Sequence, residues 1–150
     1  MVQPLILDIG CGDNKFPNSI GMDKRVLNNV NIIHDIEQIP WPVVGGEFDE
    51  VRMSHVMEHM KPWLVLNIMN EIWRVLKLGG HLELIMPVAG SVAFYSDPTH
   101  TKSWNIHTVS YFDINNNFWK VYRPKPWKVL KNTVNYKEYL EIILEKVNDK

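Results

Sequence analysis

The stretch Leu5-Ile6-Leu7-Asp8-Ile9 is almost wholly apolar and runs straight into glycine. A strand buried on both faces reads this way, as in a parallel sheet. Shorter apolar runs predict further strands at Ile20–Asp23, Asn31–His34, Phe48–Met53, His81–Met86 and Tyr139–Val147, with a weaker pattern at Lys128–Val134. Between Pro62 and Leu78 the period changes. Val65, Ile68, Met69, Ile72, Val75 and Leu76 recur at helical spacing and give one apolar stripe for a sheet to bury. Pro62 suits a first helical turn, and Gly79-Gly80 is expected to stop the helix. Strand, helix and strand in succession predict an α/β domain. Pro124 and Pro126 interrupt any pattern in residues 113–137, which reads as loop ahead of one late strand.

Composition narrows the class. The chain has 150 residues, 45% apolar and 22% charged, which predicts one globular domain over 1–150. The formal charge of −1 supplies no global attraction to nucleic acid or membrane. Its distribution is uneven: residues 1–60 hold 4 Lys/Arg against 9 Asp/Glu, and residues 61–150 hold 12 against 8. Cys11 is the single cysteine, which excludes an internal disulfide framework or a Cys-rich zinc module. No apolar run approaches the ~18 residues that cross a bilayer, and Asp8 interrupts a non-basic start, so no signal peptide is expected. The expected compartment is the reducing cytoplasm.

Asp8-Ile9-Gly10-Cys11-Gly12 stands where an α/β sheet binds ligands, at the carboxyl end of a strand. Glycine there allows positive φ and lets a ligand approach the backbone closely. The dinucleotide fingerprint would need glycine at position 15, which is Lys15, and the phosphate-loop pattern is absent. What remains resembles motif I of the class I S-adenosylmethionine-dependent methyltransferases. Gly21-Met22-Asp23, His34-Asp35-Ile36, Phe48-Asp49-Glu50-Val51 with Ser54-His55, and Trp73–Gly80 with Leu82-Glu83-Leu84 continue the resemblance in the family's order.

The resemblance implies a Rossmann-like doubly wound sheet, mostly parallel with an antiparallel last strand. It also implies S-adenosylmethionine, left as S-adenosylhomocysteine after transfer. Asp8, Gly10, Cys11 and Gly12 would form the glycine turn, Asp23 with adjacent Lys24 would take the ribose, and Asp35-Ile36 would frame the adenine. Ser54 and His55 would lie after the fourth strand. Two departures stand out. Residues 13–19 have no helical period, so the helix after the glycine turn is missing, with Lys15 or loop N–H groups left to meet the ligand's carboxylate. The first strand begins by Leu5, so the fold is shortened at its N-terminus and its site is expected to be open. An open site suits a large acceptor, a partner subunit or a homo-oligomer.

Several motifs admit other chemistry. His55-Val56-Met57-Glu58-His59 spells the His-x-x-Glu-His pattern of zinc peptidases, yet it directly follows a buried strand. Glu58 and His59 are therefore read as structural and no metal is expected, with a zinc hydrolase through His55, Glu58 and His59 the remote alternative. Residues 119–137 mix basic and aromatic side chains without an acid, a composition that can bind nucleic acid, but a solvated sheet edge is favoured. Tyr95-Ser96-Asp97-Pro98-Thr99-His100 follows the fifth strand, where the family meets its acceptor. His100 is the candidate base with Asp97 orienting it, and His55 is the competing base. The expected function is methyl transfer to an unidentified acceptor; the alternative is a non-catalytic binding or scaffold subunit.

Overall fold

The computed structural model describes residues 2–149. Seven strands form one sheet: β1 (Ile6–Ile9), β2 (Ile20–Asp23), β3 (Ile32–Ile33), β4 (Phe48–Ser54), β5 (Leu76–Pro87), β6 (Trp127–Asn135) and β7 (Tyr139–Lys146). Their order is β3-β2-β1-β4-β5-β7-β6. The strands β1 to β5 pair in parallel, whereas β7 runs antiparallel to both β5 and β6. This is the doubly wound sheet expected, with its reversal at the β1–β4 pair. All four residues of β1 are buried, as a central parallel strand requires.

Helix α1 (Val65–Val75) follows a 3-10 turn at Pro62–Leu64, so proline does occupy the entry to the helical segment. Val65, Ile68, Met69, Ile72 and Val75 are all buried against the sheet, and this stripe closes one face of the core. The helix stops earlier than its sequence suggests. Leu76 is already extended, and its N–H still caps Ile72 O. Gly79-Gly80 lies in β5, at an irregularity where Phe48 faces Leu76 but Glu50 faces His81. Gly79, at φ +76, takes the left-handed turn of that bulge instead of a helix cap.

Two short helices carry no sequence signal: α2 (Val92–Ser96), capped by Ser91 Oγ accepting from Phe94 N–H at 3.1 Å, and α3 (Trp119–Tyr122). The basic stretch after α3 becomes the edge strand β6. Lys128, Lys131 and Lys125 sit beside Glu145, Glu141 and Asp149, and Trp127 is fully buried. Those lysines are engaged along the sheet edge, as the solvated-edge reading expects. Among the described residues, no helix is long and apolar enough to cross a membrane.

Candidate active site

The carboxyl ends of β1 to β4 open into a cleft of about 540 Å³. Gly10, Asp23, Asp35, Ile36 and His55 line it, each the last residue of its strand or within three positions of that end. Lys24 and Arg25 extend the wall beyond β2. Asp8, Cys11, Gly12 and Ser54 lie outside this lining.

The glycine turn is held from within. Gly10 N–H donates to Met22 O at 2.7 Å, Cys11 N–H to the same carbonyl at 3.4 Å, and Gly12 N–H to Asp23 Oδ2 at 3.0 Å. These three amides are therefore engaged with β2. Gly10 sits at φ +65 with Val56 packed over it, so a Cβ there would lie 2.4 Å from Val56 Cγ2. Residues 13–19 form turns without a helix. Asp8 Oδ2 accepts the Phe16 N–H at 2.7 Å, and the Arg52 guanidinium lies 3.7 Å from the centre of the Phe16 ring. Burial raises the Asp8 carboxyl above its ordinary value, outweighing the Phe16 amide and the charges of Arg52 and Lys15. Lys15 turns away from the cleft, donating to Asn31 Oδ1 at 2.8 Å. Neither Lys15 nor these three amides remain for an anionic ligand.

Asp23 is nearly enclosed and strongly engaged. Besides Gly12 N–H, it accepts from the Arg25 backbone at 2.9 Å and from the Arg25 guanidinium at 3.1 and 3.2 Å. Burial alone would raise its carboxyl. Arg25 and the two amides more than offset this and hold it below the usual range. Cys11 is a buried thiol, pushed up by burial and by the nearby Asp8 and Asp23.

The wall beyond β3 is fixed to α1. Trp41 Nε1 donates to Ile36 O at 2.9 Å, and Trp41 N–H donates to Glu71 Oε1 at 2.7 Å. Glu71 also takes two donors of Arg74, at 2.6 and 2.9 Å, and Arg74 reaches on to Val43 O. Asp35 Oδ1 caps its own turn through Glu37 N–H at 3.0 Å. Two residues of α1 thereby set the position of Ile36.

A second, more open cavity of about 520 Å³ lies beside the cleft, lined by Pro87, Ala93, Asp97, His100 and Tyr139 among others. His55 lines both spaces. Its backbone sits at φ +57, a left-handed conformation rare outside glycine and common at functional sites. The side chain is half exposed, packs edge-on against Tyr139 and places Nδ1 3.5 Å from Glu58 Oε1. The Glu58 carboxylate raises the His55 proton affinity above the ordinary value.

The segment 97–102 is fastened to residues 58–60. Thr101 and Lys102 N–H donate to Glu58 O at 2.8 and 3.1 Å, and Thr101 Oγ1 donates to Met60 O at 2.9 Å. Asp97 Oδ1 accepts both the N–H and the hydroxyl of Thr99, at 2.8 and 2.7 Å, which hold its carboxyl below the usual range. His100 is not out in solvent: its side chain is 8% exposed. Nδ1 bonds Phe94 O at 2.7 Å, and Nε2 stands 3.6 Å from Asp97 Oδ2 and 4.0 Å from Glu58 Oε1. Asp97 thus lies near His100, but the hydrogen bond that orients the ring is to Phe94 O and not to Asp97. Glu58, which the sequence motif His55-Val56-Met57-Glu58-His59 presented as structural, lies fully buried between His55 and His100.

The family described as "Methyltransferase domain" matches residues 17–84. No curated protein matches the chain in sequence. Among solved structures, a SAM-dependent methyltransferase from Archaeoglobus fulgidus is 19% identical, with a TM-score of 0.70 over 95% of this chain and 86% of its own. The Burkholderia thailandensis 1,6-didemethyltoxoflavin-N1-methyltransferase, solved with bound 1,6-didemethyltoxoflavin and S-adenosylhomocysteine, is 10% identical at a TM-score of 0.71, covering 97% and 72%. A Haloferax volcanii methyltransferase complex with the activator Trm112 is 11% identical at 0.66, covering 97% and 83%. At these identities the likeness is one of fold, and the methyltransferase-domain match over 17–84 covers a little under half of the chain, from β2 into β5.

Proposed function

We propose that the cleft at the ends of β1 to β4 seats S-adenosylmethionine and that the neighbouring cavity receives the acceptor. The carrying observation is that His55 lines both spaces. The residues fit the cofactor: Asp23 and Asp35 stand at strand ends where a carboxylate can accept two hydroxyl or amino hydrogens, and Ile36 offers a buried apolar edge. With the turn amides and Lys15 already engaged and Arg25 paired with Asp23, Lys24 and Lys61 supply the positive groups facing the cleft. When bound, S-adenosylmethionine supplies a methyl group already activated by its sulfonium.

The protein's own task is then alignment. His55 forms the wall that an acceptor must pass, and the locked 97–102 segment fixes the floor of the second cavity. Proximity and orientation supply much of the acceleration in such a displacement. His55 takes the acceptor-side position in this reading because it is exposed to both spaces; His100 and Asp97 stand behind it. The second cavity is open, and Val92 and Tyr95 are exposed on α2 beside it. That surface suits a large acceptor, a second copy or an activator chain covering the site. The single buried thiol suits a reducing compartment such as the cytoplasm.

Calorimetry with S-adenosylhomocysteine, followed by a labelled-methyl screen of acceptors, tests the reading. The wild type is expected to bind, and His55→Ala is expected to lower turnover at saturating donor by about 10²-fold through lost alignment. Absence of binding at millimolar ligand removes the cofactor assignment. Wild-type turnover in His55→Ala removes the acceptor assignment.

A further inference from the structure

The geometry points to a divalent transition-metal site formed by Glu58, His59 and His100, between the two cavities. One ring nitrogen of each histidine and a carboxylate oxygen of Glu58 lie within 4.8 Å of one another. Both oxygens of Glu58 are buried with no hydrogen-bond partner among the described residues, although a buried carboxylate ordinarily has several.

Hydrogen bonding around the cluster fixes what each ring offers. The carbonyl of Phe94 can only accept, so His100 carries its proton on Nδ1 and, as a neutral ring, turns the lone pair of Nε2 toward Glu58. The hydroxyl of Thr99 donates to Asp97, so it accepts from His59 Nδ1, 2.9 Å away. A neutral His59 ring would then keep its lone pair on Nε2. Three acceptor atoms thus meet, and the nearest donor beside them is His55 Nδ1, 3.5 Å from Glu58 Oε1. A ring whose second nitrogen is held by a carbonyl or a hydroxyl–carboxylate pair is also how a metal-binding histidine is usually oriented.

Distance separates an ion from a proton here. The 4.0 Å from His100 Nε2 to Glu58 Oε1 is too long for a hydrogen bond. Two ligands that share one ion stand about 3.3 Å apart for tetrahedral bonds of 2.0–2.1 Å, so a bound ion would draw these two atoms in by less than about 1 Å. Two imidazoles and one carboxylate favour Zn²⁺ or a neighbouring first-row ion over Ca²⁺ or Mg²⁺, which prefer oxygen. The ligand set differs from the sequence pattern: His100, forty-one positions after His59, takes the place of His55. The site does not depend on methyl transfer. His59 faces the cleft and His100 the second cavity, so a bound ion would lie beside whatever occupies them.

The test uses the full chain without an affinity tag, freed of metal by chelator and titrated with Zn²⁺ by calorimetry and with Co²⁺ by visible absorption. One ion per chain is expected, with a rise in Tm on Zn²⁺ addition because the folded state alone holds the site. His59→Ala and His100→Ala should each weaken binding by about 100-fold or more, beyond the loss of an outer partner. His107→Ala, at an exposed histidine, should bind as wild type. Glu58→Gln should also lose the ion; if it fails to fold, the two histidine variants decide. The proposal is overturned by no saturable binding at micromolar Zn²⁺, by binding that persists in His59→Ala and His100→Ala, or by equal loss in His107→Ala. Because the readout is metal binding alone, its failure leaves the methyl-transfer reading standing, and the reverse also holds.

Discussion

Glu37 accepts the backbone N–H of Lys61 on one oxygen and faces its ammonium with the other, each at 2.9 Å. The first residue follows β3 and the second precedes α1, and both line the cleft. This double contact joins the two rims of the cleft. Glu37→Ala is expected to weaken S-adenosylhomocysteine binding about fivefold, the worth of a partly exposed pair near 1 kcal/mol. Calorimetry checks it, and the loss should shrink at high salt.

Asp23 and Arg25 should separate under mutation. If the carboxylate passes from the guanidinium to the ribose, Asp23→Ala lowers cofactor affinity by at least about tenfold, as loss of a charged hydrogen bond does. Arg25→Ala should stay within about threefold of wild type, since a largely exposed charge contributes little. Equal losses in both variants would make Arg25 itself a ligand and retire the ribose role of Asp23.

Gly10→Ala tests the glycine turn. The added methyl meets Val56 at 2.4 Å and sits at φ +65, so both packing and backbone oppose it. A destabilisation of roughly 2 kcal/mol is expected, measurable by denaturant unfolding. An unchanged midpoint would show that Val56 gives way freely.

Glu71 carries a pH dependence. Burial works to raise its carboxyl, but Arg74 and the Trp41 amide outweigh it and hold the pKa below the ordinary glutamate value. A depressed carboxyl stabilises the fold above its unfolded pKa and loses that contribution as pH falls through the folded value. Unfolding free energy should therefore be level near neutrality and decline in the acid range below about pH 4.5. Glu71→Gln should flatten part of that decline and cost about 2 kcal/mol at pH 7. A variant with the wild-type acid profile would assign the decline to other carboxylates.

The strands and α1 were legible because burial on two faces and burial on one stripe leave different periods in the sequence. The motif residues fell where strand ends fall, so Gly10, Asp23, Asp35 and His55 line one cleft, while Asp8, Cys11, Gly12 and Ser54 lie outside its lining. Contacts across long separations left no such trace. Nothing local distinguishes Glu58 as the partner of His100, or Lys15 as the partner of Asn31, because both pairs form only once the sheet has assembled. The β6–β7 hairpin turns on Tyr136 and Lys137, both at positive φ, without the glycine or asparagine that ordinarily signals such a turn. Gly79 misled for the opposite reason: a left-handed residue after a helix suits a cap and a strand bulge equally well.

The bonds that tie residues 97–102 to residues 58–60 have a thermodynamic consequence. His59 and Met60 belong to the cleft, Asp97 and His100 to the neighbouring cavity, and Thr99 and Thr101 hold the two groups together. A molecule that draws either group toward itself changes the shape offered to the other. Linkage requires that effect to be symmetric: whatever factor the first ligand imposes on the affinity of the second, the second imposes on the first. The occupancy of one space is thereby readable from the dissociation constant of the other, even for an acceptor whose own binding is too weak to follow directly.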